Sequence, residues 1–290
     1  MIELTGTIIW LTGIPSSGKT TIGKKVAENI NAIMLDGDVL RSKYPEHRAL
    51  GFSPEDRKTN VLLTSKKAKK YAEAGDNVVI ALVSPNRNVR QEAKKIHNGP
   101  FIMIHVDCPP SVCADRDPKG NWKLARVGEI KNFTGFSAPY DIPLEPDLVL
   151  QTHESSVDEC VDRAIEAYEE ASRVQLYIGR WQPFHNGHKA IIDEVLGENR
   201  NVVIGIRDTP LSDKNPMSFE ERKCMIEEVY IDEPLVSVYP YPFPNINSIN
   251  IGRKVGYDIR TIEVDVPVSG TDIRQKKNRG DESWKEDVPL

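Results

Sequence analysis

The sequence lacks any apolar run long enough to cross a membrane. A transmembrane helix needs about 20 consecutive apolar residues, and no stretch of the 290-residue chain approaches that length. The N-terminal segment, MIELTGTIIWLTG, has neither the basic start nor the small-residue cleavage site of a signal peptide, so it predicts a first β-strand. We therefore expect a cytoplasmic protein with no membrane partner.

Cysteine is scarce, and its spacing excludes two classes of protein. The four cysteines are Cys108, Cys113, Cys160 and Cys224. They match no zinc-binding pattern, and four in so long a chain do not make a disulfide framework. We expect ordinary reduced thiols.

The chain also lacks a basic excess. Its net charge is −5, which gives no general attraction to nucleic acid or to anionic membranes. Two short basic runs, Lys66–Lys70 and Lys276–Arg279, are open to interpretation as contact patches, but solvated helix faces are the simpler explanation. With 39% apolar and 28% charged residues, the composition is that of a folded globular protein rather than a disordered one. We expect no nucleic-acid partner, and the motifs described next indicate small-molecule nucleotide substrates.

The pattern of apolar segments predicts two α/β domains, residues 1–173 and 174–290. In the first, five short apolar runs alternate with amphipathic stretches, as in a parallel sheet covered by helices. The predicted strands of this domain are Thr7–Leu11, Ala32–Leu35, Asn77–Val83, Phe101–Val106 and Leu148–Gln151. The predicted helices are Lys19–Ile30, one that begins at Ser53, and Ser156–Ala171, which closes the domain.

The second domain repeats the alternation on a smaller scale. A strand at Val174–Gly179 precedes a helix at His188–Leu196, and a strand at Asn201–Ile206 follows. The pair Ser218 and Glu221 makes a capping box that opens another helix. The two domains open with different glycine motifs, so the second is no repeat of the first.

The first glycine motif is a complete phosphate-binding loop, GIPSSGKT, between a predicted strand and a predicted helix. Its glycines let backbone N–H groups point at phosphates, and the helix dipole adds positive potential. Lys19 is expected to reach the β- and γ-phosphates of ATP, and the Thr20 hydroxyl to bind Mg²⁺. The predicted ATP-binding residues are Gly13, Ser16, Ser17, Gly18, Lys19 and Thr20.

Two carboxylates follow the second predicted strand. Asp36 and Asp38 lie at the carboxyl edge of the sheet, where open α/β sheets bind ligands. A carboxylate there can hold Mg²⁺ through water or orient a hydroxyl group for in-line attack. This chemistry favours a small-molecule kinase over an NTPase switch or motor.

Four further segments extend the pattern: LDGDVLR (35–41), GFSPEDRKTNV (51–61), ALVSPNRNVR (81–90) and DPKGNWKLARVGEIKNFTG (117–135). In this order and spacing, the first domain resembles the adenylylsulfate kinase family. The resemblance implies phosphoryl transfer from MgATP to the 3′-hydroxyl of adenosine 5′-phosphosulfate (APS), which yields 3′-phosphoadenosine 5′-phosphosulfate (PAPS).

The resemblance also implies roles for particular residues. Asp38 would orient the acceptor hydroxyl and, with Thr20, hold the metal partly through water, while Asp36 supports it. The implied acceptor-binding residues are Arg41, Arg57 and Asn60 for the sulfate–phosphate group, Phe52 and Phe133 for the adenine, and Ser84 and Lys131 as further contacts. Lys119–Gly135 would form a lid that excludes water.

The acceptor side departs from the family pattern in two places. The residue after Asp38 is Val39, where the family usually has Asn, and residues 42–50 (SKYPEHRAL) are atypical. Because both departures lie near the acceptor pocket, the sequence identifies the phosphoryl donor, ATP, more firmly than it identifies the acceptor.

The second glycine motif is GRWQPFHNGH (179–188), again between a strand and a helix. His185 and His188 stand at the positive end of the helix dipole, where imidazoles can bind triphosphate oxygens, and Gly187 permits close approach of a ligand. The motif resembles that of HxGH nucleotidyltransferases. Together with NPMSFEERKCMI (215–226) and VSGTDIR (268–274), it is similar to archaeal-type nicotinamide mononucleotide adenylyltransferases.

That resemblance implies a smaller Rossmann-like domain in which His185 and His188 stabilise charge near the α-phosphate while a substrate phosphate displaces pyrophosphate. The implied nucleotide-binding residues are Gly179, Arg180, Gln182, Phe184, Gly187, Ser269, Thr271 and Arg274. The nucleotide would be ATP or CTP. Residues 239–265 are short for that family and lack a recognisable nicotinamide pocket, so the acceptor stays open.

Three hypotheses follow. In the first, an adenylylsulfate kinase is fused to a nucleotidyltransferase. In the second, the kinase phosphorylates another nucleotide or small-metabolite hydroxyl, and the second domain transfers AMP or CMP to a phosphorylated metabolite. In the third, one domain binds nucleotide without catalysing a reaction. The presence of the predicted catalytic residues Lys19, Asp38 and His188 argues against this third hypothesis. The sequence does not determine the oligomeric state, and a homo-oligomer is possible. It also does not show whether an intermediate passes between the two sites.

Overall fold

The computed structural model describes residues 4–97, 99–244, 262 and 265–289. The chain forms two compact units, of which the first is Thr5–Arg173 and the second begins at Val174. In the described part of the chain, no helix is both long enough and apolar enough to cross a membrane.

The first unit is a five-stranded sheet with helices on both faces. Its strands are β1 (Ile8–Thr12), β2 (Ile33–Asp36), β3 (Val78–Ala81), β4 (Phe101–Asp107) and β5 (Leu148–Gln151). They lie in the order β2-β3-β1-β4-β5, and every pair is parallel. The α/β class predicted from the sequence is therefore confirmed.

Eight helices belong to this unit in the described residues: α1 (Lys19–Asn29), α2 (Gly37–Lys43), α3 (Pro45–Arg48), α4 (Pro54–Glu73), α5 (Arg87–Ile96), α6 (Pro110–Arg116), α7 (Asn121–Arg126) and α8 (Val157–Ala171). The predicted caps are present. Ser53 accepts a hydrogen bond from the Asp56 amide, and Ser156 and Glu159 form the reciprocal capping box.

Apolar side chains from the two sheet faces form separate core layers. On one face, Ile8, Trp10 and Ile80 pack against α4 and α5. On the other, Ile9 and Leu11 pack against Ile22 and Val26 of α1 and against α8. Because the side chains of β1 alternate between these layers, the strand is fixed in register, and the loop that follows it emerges at a defined point of the sheet edge.

The second unit contains a three-stranded parallel sheet in the order β6-β7-β8, formed by β6 (Gln175–Gly179), β7 (Val202–Ile206) and β8 (Val236–Val238). Its described helices are α9 (Asn186–Leu196), α10 (Phe219–Val229) and α11 (Gly270–Asn278), followed by a 3₁₀ helix at Glu282–Asp287. The capping box of Ser218 and Glu221 opens α10 as predicted. Most of the predicted short acceptor region, 245–261 with 263 and 264, lies outside the described residues.

Candidate functional site

The loop between β1 and α1 curls because of its glycines. Gly18 has a left-handed φ of 105°, and Ser16 also has a positive φ, 67°. A Cβ atom on Gly13 would come within 2.4 Å of the Val106 carbonyl oxygen, so only glycine fits there. The loop delivers the N-terminus of α1 to the carboxyl edge of the sheet, which is the geometry of a phosphate cradle.

Lys19 is buried in the floor of this loop. Its ammonium group donates hydrogen bonds to the Ile14 carbonyl, at 2.7 Å, and to the Ser17 hydroxyl, at 3.4 Å. Ser17 itself is fully buried. Burial lowers the pKa of Lys19 from its usual 10.5 to about 8. A buried cation held by the loop's own oxygens is ready to exchange them for phosphate oxygens.

Thr20 and Asp36 meet at the mouth of the loop. The Thr20 hydroxyl donates to the Asp36 carboxylate at 2.7 Å. Asp36 also caps α2, since its other carboxylate oxygen accepts from the amides of Asp38 and Val39 at 2.9 and 3.3 Å. A hydroxyl and a carboxylate are the oxygen ligands that Mg²⁺ prefers, so these two side chains fit a magnesium ion shared with nucleotide phosphates.

Asp38 is the second residue of α2, and its side chain is 69% exposed. Its carboxylate forms an ion pair with the Lys119 ammonium group. The sequence predicted Asp38 as a metal-holding partner of Thr20. In the structure, however, the carboxylate bonded to Thr20 is that of Asp36, and Asp38 faces the segment predicted as the lid.

A single cavity of about 1120 Å³ joins the phosphate loop to the predicted acceptor residues. The predicted residues that line it are Ser16, Gly18, Lys19, Thr20, Asp36, Asp38, Arg41, Phe52, Arg57, Asn60, Ser84, Lys131 and Phe133. Gly13 and Ser17 do not line the cavity but support the loop from behind. Sequence-distant residues from β2, α2, α4 and the 117–135 segment thus share one site.

On the acceptor side, an exposed aromatic ring lies close to two arginines. Phe52 is 63% exposed, and the guanidinium carbons of Arg41 and Arg57 lie 4.5 and 5.8 Å from its ring centroid. Arg41 donates to the Leu50 and Gly51 carbonyls. Arg57 donates to the Phe52 carbonyl at 2.9 Å. Such a cluster offers a planar face and fixed cationic donors to an anionic aromatic ligand.

The predicted lid contains the short helix α7 and packs on the site through two aromatic residues. Trp122 and Phe133 are nearly buried and meet edge to face at 5.1 Å between ring centroids. Arg57 connects the lid to α4, since it donates to the Asn132 carbonyl at 2.6 Å and to the Thr134 hydroxyl. Lys131 is exposed. Phe133 therefore offers much less ring surface than Phe52 to a ligand.

Asn60 and Ser84 are buried at the cavity wall. The Asn60 Oδ1 atom lies 2.8 Å from Nδ1 of His47. The Ser84 hydroxyl accepts from the Trp10 indole at 3.0 Å and donates to the Leu82 carbonyl at 3.3 Å. Both side chains are thus held by neighbours that the sequence reasoning did not single out.

Arg90 is another residue that the sequence reasoning missed. It is 2% exposed, and its guanidinium donates to the Ser84 carbonyl at 2.6 Å and to the Asp141 carbonyl at 2.5 Å. Burial lowers the pKa of Arg90 from its usual value. It lies in the quoted motif ALVSPNRNVR, but nothing local in that string distinguishes it from Arg87.

On the nucleotide side, Arg116 and Thr152 were also missed. Arg116 donates to the hydroxyl and the carbonyl of Thr152, and the Thr152 hydroxyl donates to the Ser17 carbonyl at 2.8 Å. Both residues line the cavity. The chain of contacts runs from α6 through the end of β5 to the phosphate loop, so residues more than 130 positions apart in the sequence support one wall.

In the second unit, His185 immediately precedes α9 and His188 lies in its first turn. Their rings stack at 3.5 Å between centroids, and the His185 amide donates to Nδ1 of His188 at 3.3 Å. The Nδ1 atom of His185 is buried and has no partner among the described residues. A Cβ on Gly187 would lie 3.2 Å from the His185 ring.

Both imidazoles favour the neutral form. Burial lowers the pKa of His185, with Arg274 acting in the same direction and Asp287 opposing it. Burial, and then the neighbouring His185, lower the pKa of His188 to about 3. Neutral imidazoles can donate hydrogen bonds to phosphate, and phosphate would stabilise their protonated forms.

The N-terminus of α11 lies beside the histidines. A Cβ on Gly270 would lie 3.6 Å from Nε2 of His185, so the starts of α9 and α11 converge there. The Ser269 hydroxyl accepts from the Thr271 amide at 3.2 Å, and Arg274 donates to the Thr271 hydroxyl at 3.0 Å and to the Gln182 carbonyl at 2.6 Å. Two helix N-termini and an arginine form an anion-binding arrangement.

The remaining predicted residues of this motif have supporting positions. The Gln182 amide pairs twice with the Met217 backbone, at 2.8 and 3.0 Å, which occupies its polar atoms. Phe184 is fully buried, so its ring belongs to the core of the unit. Gly179 ends β6, and Arg180 follows it with an exposed side chain.

Trp181 and Arg222, which the sequence reasoning did not select, hold the motif in place. The Trp181 ring meets the His188 ring edge to face at 4.8 Å, and its indole N–H donates to the Gly205 carbonyl at 2.9 Å. Arg222 is 1% exposed and donates to the carbonyls of Arg180 and Arg207 at 2.7 and 3.0 Å. These contacts fix the turn between β6 and α9.

Comparison with known proteins gives a match for each unit. Residues 5–151 match the family model described as adenylylsulphate kinase, and residues 176–273 match the one described as cytidylyltransferase-like. The second match confirms a nucleotidyltransferase-like domain at the C-terminal end, and it does not distinguish ATP from CTP.

Several relatives share the first unit. Adenylyl-sulfate kinase of Clostridium acetobutylicum is 39% identical over 171 residues, which are 57% of this chain and 84% of the relative. A probable adenylyl-sulfate kinase of Halalkalibacterium halodurans is 40% identical over 167 residues, covering 56% of this chain and 82% of the relative. The structure of Mycobacterium tuberculosis APS kinase CysC in complex with AMPPNP and APS is 35% identical, with a TM-score of 0.55 over 57% of this chain and 99% of that one.

Proposed function

This chain belongs to the adenylylsulphate kinase family, and we propose that its first unit transfers the γ-phosphoryl group of ATP to the 3′-hydroxyl of APS. One observation carries the proposal: a single cavity is lined both by the phosphate loop, with Lys19 and Thr20, and by the Arg41, Phe52 and Arg57 cluster. Donor phosphates and an anionic aromatic acceptor can therefore occupy one enclosed space, as phosphoryl transfer requires.

On the donor side, the loop amides and the α1 dipole bind the phosphates, and Lys19 exchanges the Ile14 carbonyl for a phosphate oxygen. Thr20 and Asp36 would hold Mg²⁺ together with the β- and γ-phosphates. When bound, magnesium neutralises charge on the phosphate oxygens that the protein side chains cannot reach. Arg116 and Thr152 complete the wall on this side.

On the acceptor side, Phe52 stacks on the adenine, and Arg41 and Arg57 bind the phosphate–sulfate group by exchanging backbone carbonyls for its oxygens. Asp38 orients the 3′-hydroxyl and accepts its proton as the new bond forms. For that role it must leave Lys119, which is then free to approach the transferring phosphoryl group. The 119–135 segment excludes water during transfer.

An acceptor assay tests this proposal. The full chain with MgATP and APS is expected to form a 3′-phosphorylated product, and Asp38→Asn is expected to lose about 100-fold or more in kcat, since positioned acid–base groups typically contribute that much. Asp162→Asn, an exposed carboxylate in α8 away from the cavity, is the matched control and keeps full activity. No turnover of APS at saturating substrate would overturn the proposal.

One observation favours an alternative to APS as the acceptor. Val39, where the family usually has Asn, is 50% exposed next to Asp38, so an apolar surface replaces an amide near the acceptor hydroxyl. A different nucleotide or a small-metabolite hydroxyl would suit such a surface. Comparison of kcat/KM for APS with that for other nucleoside 5′-anhydrides under the same conditions decides between them.

For the second unit, we propose nucleotidyl transfer from ATP or CTP to a phosphorylated acceptor, with release of pyrophosphate. The convergence of α9 and α11 on the stacked His185 and His188 supports it. The imidazoles would stabilise charge at the α-phosphate, while Ser269, Thr271 and Arg274 bind the β- and γ-phosphates. Pyrophosphate release with each nucleotide and a panel of phosphate monoesters tests the reaction, and His188→Ala is expected to abolish it while leaving the kinase reaction intact.

A further inference from the structure

Within the atypical segment 42–50, one buried side chain contacts the acceptor pocket. His47 lies in α3 and is 1% exposed. Its Nδ1 atom lies 2.8 Å from Oδ1 of Asn60, and Asn60 lines the cavity from α4. The segment in which this chain departs from its family thus contacts the acceptor subsite at a second side chain, Asn60, besides the bond from Arg41 to the Leu50 carbonyl.

The chemistry of the two atoms fixes the direction of that bond. A carboxamide oxygen only accepts hydrogen bonds, so Nδ1 of His47 carries the proton and donates it. The Asn60 amino group makes no hydrogen bond to any other described residue. With its oxygen engaged by His47, the part of the carboxamide that remains for a ligand is the N–H donor.

Two other polar side chains that line this cavity are also donors. Arg41 and Arg57 have no acceptor atoms, and each donates to backbone carbonyls. Together with the Asn60 amino group, these donors suit phosphate or sulfate oxygens. If the Asn60 carboxamide rotated by a half turn, its oxygen would face the same anion and repel it.

We propose that His47 is a positioning residue that holds the Asn60 carboxamide with its amino group toward the acceptor anion, and so sets the pocket's preference for oxyanion-bearing acceptors. This inference rests on the proposed kinase function of the first unit. His47 acts through Asn60 rather than by contact with the substrate.

The surroundings of His47 suit this role. Pro45 opens α3, and the His47 amide donates to the Tyr44 carbonyl at 3.2 Å, which fixes the backbone. The Tyr44 ring lies edge-on to the imidazole at 6.2 Å between centroids. An imidazole buried in this way has little freedom to rotate, so its donor stays aimed at Asn60.

A double-mutant cycle tests the inference with ATP and APS as substrates. His47→Leu removes the donor, and we expect the KM for APS to rise roughly tenfold, because a buried acceptor is left unsatisfied and the carboxamide is free to turn. The KM for ATP is expected to change less than about twofold. His47→Asn, whose amide nitrogen stands at the same distance along the side chain as Nδ1 and can donate to Asn60, is expected to recover most of the loss.

The Asn60→Ala background distinguishes a positioning role of His47 from a merely structural one. In that background, His47→Leu is expected to have no further effect on the KM for APS. Equal effects of His47→Leu with and without Asn60, or equal rises in KM for ATP and APS, would overturn the inference. If His47→Leu does not fold, His47→Met, which also lacks a donor, takes its place in the same cycle.

Wild-type turnover separates this inference from the proposed function. Absence of APS phosphorylation by the unmodified chain overturns the proposed function. Normal wild-type turnover together with an unchanged KM for APS in the His47 variants overturns only the role of His47.

Discussion

The hydroxyl of Thr20 donates a 2.7 Å hydrogen bond to the carboxylate of Asp36, and this contact joins the phosphate loop to the end of β2. Thr20 follows β1 and Asp36 ends β2, two strands that are separated by β3 in the sheet, and Asp36 is fixed there because it also caps α2. The contact brings together the hydroxyl and the carboxylate that would hold the metal. Asp38, in the first turn of α2, is positioned by the same cap.

Loss of the Thr20 hydroxyl should weaken magnesium binding in the kinase reaction. For Thr20→Val we expect kcat/KM for MgATP to fall roughly 10- to 100-fold, as for other losses of metal-orienting groups, and the magnesium concentration at half-maximal rate to rise. Thr20→Ser keeps the hydroxyl and is the matched control. A magnesium titration of the rate is the measurement, and an unchanged magnesium dependence in Thr20→Val would contradict the assignment.

Nucleotide binding should be coupled to proton uptake by Lys19. The pKa of the free side chain is about 8 because of burial, and neighbouring phosphate charge raises it, so binding takes up a proton between about pH 8 and 10. Calorimetric titration of ATP in buffers of different ionisation enthalpy at pH 8.5 measures this uptake. Lys19→Arg, which stays charged, is expected to show much less uptake at the same pH.

Two histidines with strongly lowered pKa values, His97 and His188, should make the fold sensitive to acid. The folded pKa of His97 is about 4 and that of His188 about 3, both below the ordinary value of 6.5, because burial disfavours their charged forms. Below about pH 6.5 the unfolded chain therefore binds more protons, and the free energy of unfolding falls as pH decreases toward those values.

Imidazole NMR titration checks this directly. The His188 ring is expected to remain neutral down to pH 5 without ligand and to titrate at higher pH when ATP or CTP is bound. Titration of free His188 near its ordinary value of 6.5 would show that the ring is more open to water than in this structure.

Arg90 should be important for stability rather than for substrate binding. It is 2% exposed, and it donates to the Ser84 and Asp141 carbonyls. Its loss leaves buried carbonyls unpaired. For Arg90→Leu we expect the free energy of unfolding of the first unit to fall by about 3 kcal/mol. Chemical denaturation is the measurement, with Arg87→Leu, a neighbour with an exposed side-chain hydrogen bond to Ile142, as the control. A loss of less than about 1 kcal/mol would contradict this role.

The sequence predicted those parts of the site that are local. The phosphate loop and the histidine turn each lie between an apolar strand and an amphipathic helix, and their chemistry is contained in eight to ten consecutive residues. The helix caps at Ser53, Ser156 and Ser218 are local in the same way, since each depends on a contact three residues away.

Contacts between distant segments could not be predicted in this way. Thr152 supports Ser17 across 135 residues, and His47 bonds to Asn60 from a neighbouring helix. Neither pair follows a spacing that periodicity can reveal. For Phe184, the motif alone gave a ligand-binding role, whereas its full burial in the core depends on how α9 packs on β7.

The central proposal is that the first unit phosphorylates the 3′-hydroxyl of APS and does so independently of the histidine site in the second unit. Phosphorus NMR of the full chain with MgATP and APS measures this directly, with the variants Asp38→Asn and His188→Ala run in parallel. We expect a 3′-phosphate signal to grow with the wild-type protein and with His188→Ala, and to be lost with Asp38→Asn. No 3′-phosphate from the wild-type chain, or its loss in His188→Ala, would contradict the account.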